Sequence, residues 1–343
     1  MSDIPKLRIS PLPFEDKIIV DAFQANQLVT GPHIGIFEKG LAACFNYTYA
    51  NTTSSGFAAL FLALKSLKLK NAKVVVPGVS TCQAITNAVL ANGFEVVFCE
   101  IAPNHLSLAE DALAALFREN QIDVIIAPSH FGIPAPIETY KKYGVPVIED
   151  ACQAFFTRTI IQSAADIMVL SFYPTKQFNC IEGGAVLHNS LDQNQRIEDL
   201  RYYESQIGFD GQARYNLRMA NLHAAFGCLL LEQLAEERSS LIKIRDSYIS
   251  GVHRKNLLVA AQCEAGVIPW RFLIKSKDQS LLNSLITANI QSDIELASLV
   301  GTTDSEIWFS HFRSIPYYSE LPEFEQKFVI DEINNIFHSV KEL

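Results

Sequence analysis

Five short apolar runs constrain this chain more than any other feature. They are Lys73–Pro77 (KVVVP), Glu95–Cys99 (EVVFC), Ile122–Ala127 (IDVIIA), Val145–Glu149 (VPVIE) and Asp166–Phe172 (DIMVLSF). Such near-continuous, β-branched runs belong to a sheet covered on both faces. Between them Gly56–Leu69, Cys82–Asn92, Ala109–Asn120 and Pro136–Tyr143 carry helical spacing. The alternation predicts an α/β domain with a mostly parallel sheet. Ligands of such sheets lie beyond the carboxyl ends of the strands, so functional residues are expected just after the runs. Further on, Leu217 to Ser250 reads as one long helix. Leu257–Lys275 and the tail from Glu323 to Leu343 read as a smaller α+β unit. The tail is expected to bury Phe328, Ile330, Ile333, Ile336 and Phe337 on one face.

A chain of 343 residues exceeds one compact core and suits two unequal domains. Its net charge of −9 argues against a nucleic-acid partner, which needs a basic face. Charged residues make up only 19%, so part of the surface is expected in a subunit interface, most simply that of a two-fold dimer. No apolar run is long enough to span a membrane, and the start (MSDIPKLRISPLPF) has no apolar core of a signal peptide. The seven cysteines contain no CxxC pair, which predicts reduced cytoplasmic thiols and no metal site.

Three places carry chemistry. Lys176 follows the fifth run across a proline, in Ser171-Phe-Tyr-Pro-Thr-Lys176. A lysine desolvated there is a neutral nucleophile, and one left in solvent is an ordinary loop residue. Asp150 ends the fourth run. A carboxylate there is placed to pair with a cationic ring nitrogen, such as that of pyridoxal 5′-phosphate (PLP), or to cap the next helix. Thr53-Ser54-Ser55-Gly56 leads into a helix whose free N–H groups suit a phosphate, with Ser171 adding a hydroxyl; a plain serine cap is the alternative.

Taken in order, TGP with FE (Thr30 to Glu38), NTTSSGFAALFLAL, VVVPGVSTCQAITNAVLANG, APSHFGIPAPI, VPVIEDACQA, SFYPTKQFNCIEGGAV and YNLRMANLHAAFG resemble the DegT/StrS sugar aminotransferases, over about residues 28 to 240. That family is PLP-dependent and has the aspartate-aminotransferase fold. The resemblance implies a three-layer large domain with a mostly parallel sheet over residues 1–235 and a smaller C-terminal α+β domain over 236–343. It implies that Lys176 bonds the cofactor as a Schiff base and shuttles the proton. It also implies that Asp150 partners the ring nitrogen and that Gln153 lies by the phenolic oxygen. Ser55, Gly56 and Ser171 match the phosphate site. Asn216 matches an asparagine that reaches the phosphate from the neighbouring subunit, so a homodimer with shared active sites is implied. Tyr173, His130 and Arg218 are candidate substrate contacts, and Arg201 another possible anion contact. Trp270 and Trp308 are expected in the core or rim of the smaller unit.

The sequence departs from the family at named positions. Phe57 stands where a hydroxyl residue is usual, Cys82 where an aromatic ring stacks on the cofactor, and Asn179 and Ile181 where glycines are usual. Asparagine tolerates positive φ and isoleucine does so poorly, so a loop of different shape is expected there. The implied reaction moves an amino group from an amino acid, glutamate first, to a keto sugar, a nucleotide-linked keto-deoxy sugar first. Its product would serve surface polysaccharide. A dehydratase-like PLP enzyme and a non-catalytic binding protein on the same fold are the alternatives. Lysine at 176 favours transamination, because the resemblance gives the dehydrating members a histidine there.

Overall fold

The computed structural model describes residues 3–8, 16–79, 82–102, 106–203, 212–292 and 311–338. Seven strands form the main sheet: β1 (Tyr49–Thr53), β2 (Lys73–Pro77), β3 (Glu95–Cys99), β4 (Val124–Pro128), β5 (Val147–Asp150), β6 (Ile167–Ser171) and β7 (Gly184–His188). Their order is β1-β7-β6-β5-β4-β2-β3. Strands β6, β5, β4, β2 and β3 run parallel, and β7 runs antiparallel to both of its neighbours.

Side-chain alternation makes the layers. Val74 and Val76, Val124 and Ile126, Ile148, and Ile167 and Val169 point to one side. There they pack with Leu60, Leu62 and Leu64 of helix Gly56–Ser66 and Ile85 of helix Gln83–Ala91. The alternate residues point to the other side. Met168 and Leu170 meet Phe37 and Phe226, while Val75, Ile125 and Val147 meet Leu113 and Tyr140. Two covered faces explain the uninterrupted apolar runs.

Two strands escape the apolar reading. Strand β1 (YANTT) is polar yet buried. Its Asn51 amide donates to Asn194 Oδ1 at 2.9 Å and to Glu198 Oε1 at 2.8 Å, and the Thr52 N–H donates to Glu38 Oε1 at 2.8 Å. Strand β7 begins on a glycine that touches the next layer: a Cβ on Gly184 would lie 2.5 Å from the Ser55 carbonyl oxygen.

The expected long helix is corrected in two ways. It is divided into Asn221–Glu232 and Leu234–Gly251, and the stretch before Ala220 is extended instead of helical. Arg218 there bridges to Thr53, and the Ser54 N–H donates to the Leu217 carbonyl at 2.7 Å. Backbone pairing to β1 outweighs helical spacing.

After residue 235, β8 (Phe272–Lys275) and β9 (Phe312–Ile315) pair antiparallel beside helices Gln279–Thr287 and Glu323–Ile336. The last helix buries Val329 and Ile333, with Phe337 beyond its end, while Phe328, Ile330 and Ile336 flank that face. The apolar cluster around Phe37 continues without a break into Leu241, Tyr248, Phe272 and Tyr317. Trp308 lies outside the described residues, and no described helix is long and apolar enough to cross a membrane.

Candidate active site

Parallel registry brings the ends of β4, β5 and β6 to one edge, with Pro128 opposite Asp150 and Asp150 opposite Val169. A cavity of about 390 Å³ opens there, within the range of small-molecule sites. Its lining contains Ser55, Gly56, Phe57, Cys82, His130, Asp150, Gln153, Ser171, Tyr173 and Lys176. Ten residues spread over 122 positions of sequence therefore meet in one cavity.

At one end lies a helix N-terminus that could cradle an anion. Ser55 caps helix Gly56–Ser66, its hydroxyl accepting the Ala58 N–H at 3.1 Å. The cap and the cradle are thus the same residues, because the first-turn N–H groups still have no acceptor within the helix. A Cβ on Gly56 would lie 2.7 Å from Ser171 Cβ, so only glycine lets the helix start this close to the end of β6. Gly183, at φ +140, has Met219 Cε within 2.2 Å of where its Cβ would be, which closes the same wall.

Asp150 lies at the cavity's sheet edge, nearly buried, with Oδ1 accepting the Cys152 N–H at 3.0 Å. It makes an Asx-type turn and caps no helix, since the next helix, Phe155–Arg158, begins later, with Ala154 at its cap position. Gln153 Oε1 accepts the Phe131 N–H at 2.7 Å, which leaves its NH₂ as the donor end. Phe131 sits at φ +54, in the turn that also carries His130. His130 is buried, with Nδ1 2.7 Å from the Leu106 carbonyl, so Nδ1 bears the hydrogen. Burial, together with the Asp150 carboxylate, pushes the Cys152 thiol well up and keeps it protonated.

Lys176 stands on the loop after β6, its N–H donating to the Tyr173 carbonyl at 2.8 Å. The loop keeps left-handed geometry despite its sequence. Ile181 has φ +73 where a different shape was expected, and Asn179 is buried with ordinary φ. Phe57 and Cys82 are exposed at the mouth, Phe57 stacking on Phe61 at 6.4 Å.

Arg218 and Arg201, the candidate anion contacts, do not line the cavity, and Asn216, expected to act on a neighbouring subunit, does not line this one. Asn216 Oδ1 accepts from Arg218 Nη1 at 2.7 Å, and the Arg218 guanidinium lies 5.4 Å from the Tyr202 ring. The extended stretch that carries both is pinned to Thr53 and Ser54. Arg201 is a structural cation, buried and paired with Glu38 and Glu198 at 2.6 Å. Conversely, Ser129, Thr175 and Glu182 line the cavity without having been singled out. Glu182 was legible as a polar residue between Ile181 and Gly183. Trp270 was not, because it stands 94 residues further along the chain, and yet its ring lies 4.8 Å from Lys176 Nζ.

The model of the DegT/DnrJ/EryC1/StrS aminotransferases matches residues 13–333. The chain belongs to this family. It is therefore a PLP-dependent aminotransferase. A curated relative from Campylobacter jejuni, UDP-4-amino-4,6-dideoxy-N-acetyl-beta-L-altrosamine transaminase, is 25% identical, with 94% of each chain covered. The 3-oxo-glucose-6-phosphate:glutamate aminotransferase of Bacillus subtilis is 25% identical over 73% of this chain and 60% of its own length. The fold matches solved DesV of Streptomyces venezuelae at a TM-score of 0.87, 22% identity and 99% and 100% coverage of the two chains. The family's cofactor fits this cavity: a helix N-terminus suited to an anion, a buried carboxylate, an amide donor and a lysine all line it.

Proposed function

We propose that this aminotransferase moves an amino group from an amino acid, glutamate first, to the keto group of a nucleotide-linked keto-deoxy sugar, supplying an amino sugar for surface polysaccharide. The convergence of Lys176 and Asp150 on one cavity carries the reading. The sugar transaminases among its relatives support the acceptor class, and the glutamate named in the Bacillus subtilis relative supports the donor.

In this reading Ser55, Gly56 and Ser171 hold the PLP phosphate, Gln153 donates to the phenolic oxygen, and Asp150 keeps the ring nitrogen protonated. Bound PLP supplies an electron sink for the carbon that loses its proton. Lys176 holds the cofactor in the resting state. When not bonded to the cofactor, its amine would be the base that moves the proton from the donor carbon. In the second half the same lysine works in reverse. Tyr173, His130, Thr175 and Glu182 face the space left for substrate. Asn216 would complete the cradle of a second subunit, which makes a homodimer the working unit. Residues 1–235 then form the cofactor-holding domain and 236–343 the smaller one, in the cytoplasm.

The test is a panel of UDP-, dTDP- and GDP-linked keto-deoxy sugars incubated with glutamate, with products weighed by mass spectrometry. An NH₂ in place of the keto oxygen, with equal 2-oxoglutarate, is expected. A product that has lost a hydroxyl and gained no nitrogen would show a dehydrating enzyme instead.

A further inference from the structure

We infer that Trp270 is a positioning residue for Lys176: its indole is the resting place of the lysine whenever that lysine is not bonded to the cofactor. The inference rests on Lys176 being the cofactor lysine.

The contact is direct, with Lys176 Nζ 4.8 Å from the indole centroid. An ammonium at that distance is attracted by the ring's negative face. The ring is fixed from several directions. Its Nε1–H donates to the Thr175 carbonyl at 3.1 Å, the residue just before Lys176. On the other side of the lysine, the Gln177 amide donates to the Pro269 carbonyl at 2.9 Å. The Trp270 N–H donates to the Phe131 carbonyl at 2.9 Å, and Phe131 is the residue whose own N–H holds Gln153. The Arg271 guanidinium also lies over the indole, at 4.1 Å. No side chain can be added at Gly132, where a Cβ would meet the Ile268 carbonyl oxygen at 2.3 Å and the Trp270 nitrogen at 2.8 Å. The indole is therefore a rigid wall, and the lysine is the movable part.

An aminotransferase alternates between a state with its lysine bonded and one with it free. A contact that stabilises only the free lysine shifts the balance toward the amine-loaded cofactor. Pyridoxamine phosphate makes no bond to the lysine, whereas PLP does. Their relative affinities therefore read the contact without any turnover.

The experiment measures the dissociation constants of PLP and pyridoxamine phosphate for the full chain and for three altered forms. The chain has two tryptophans, so fluorinated tryptophan incorporated into a Trp308→Phe background alters Trp270 alone, keeping its shape while weakening its ring face. Trp270→Leu removes the face, and Trp270→Phe keeps a weaker one. The ratio of the PLP constant to the pyridoxamine phosphate constant should fall by about two- to thirtyfold in Trp270→Leu, and by less in the other two. Each is compared with its parent background. If both constants change in step and the ratio stays, Trp270 only supports the wall and the inference is overturned. If Trp270→Leu does not fold, an unchanged ratio in the fluorinated protein overturns it equally. If borohydride still fixes PLP covalently to the cavity of Lys176→Ala, the reading beneath it is lost instead.

Discussion

Ile181 carries a backbone that β-branched residues avoid, at φ +73 in the loop between Lys176 and β7. Such strain costs about 1–3 kcal/mol and persists where the surroundings dictate it. Here the loop must present Glu182 to the cavity and close on Gly183. Ile181→Gly should therefore be nearly neutral, within about 1 kcal/mol of the parent by urea unfolding, because relieved strain offsets lost packing. A loss in the usual range of about 2–5 kcal/mol for truncating an isoleucine would show that the turn is relaxed. Gly56→Ala should do the opposite. Its methyl meets Ser171, so overpacking should cost about 1–3 kcal/mol and weaken PLP binding, although alanine is the better helix former. At this scale much of the cavity was legible, because polar residues directly after buried strands have few reasons to be there. Ile181's geometry and Trp270's ring were not, since neither a forced φ nor a contact over 94 residues leaves a local pattern.

Among the elements, β5 is anchored by Glu149, which is fully buried one residue before Asp150. Arg158 Nε donates to it at 2.6 Å, and the hydroxyls of Ser129 and Ser163 donate to the same carboxylate. Ser129 also lines the cavity, so this knot fixes the wall from beneath. Glu149→Gln leaves the Arg158 charge buried without its partner. It should cost about 3–5 kcal/mol, seen as a lower Tm, with PLP affinity falling as the wall loosens. An unchanged Tm would mean that water reaches Arg158. Strands β2 to β6 were readable because both faces are apolar. The polar β1 was not, since its burial rests on specific hydrogen bonds to Glu38, Asn194 and Glu198, and β7 was not, since it opens on a glycine packed against Ser55. The break before Asn221 escaped for a related reason, the pairing of Arg218 with Thr53.

For the whole molecule, one buried histidine sets a pH limit. Burial pushes His188 down to about 4, opposed by the Ser190 backbone. Its ordinary value is 6.5, so the unfolded chain takes up the proton first. The neutral ring's contribution is complete above that ordinary value. It is lost as pH falls toward the folded value, to a total of about 3 kcal/mol. Thermal unfolding from pH 7 to 4 should drop less steeply in His188→Gln than in the parent, and parallel curves would contradict the assignment. The layered fold followed from the sequence because strand and helix alternate at a regular pitch. The continuity of the core around Phe37 into the part beyond residue 235 did not, because it joins distant apolar residues with no shared period.

The most direct test of the central claim, amino transfer at Lys176, is the visible absorbance of the purified chain with PLP, before and after glutamate, beside Lys176→Ala. A yellow band that glutamate bleaches as 2-oxoglutarate appears, and that Lys176→Ala fails to form, is the predicted result. A parent chain that keeps no band once unbound PLP is removed, or a Lys176→Ala chain that releases 2-oxoglutarate as its band bleaches, would contradict it.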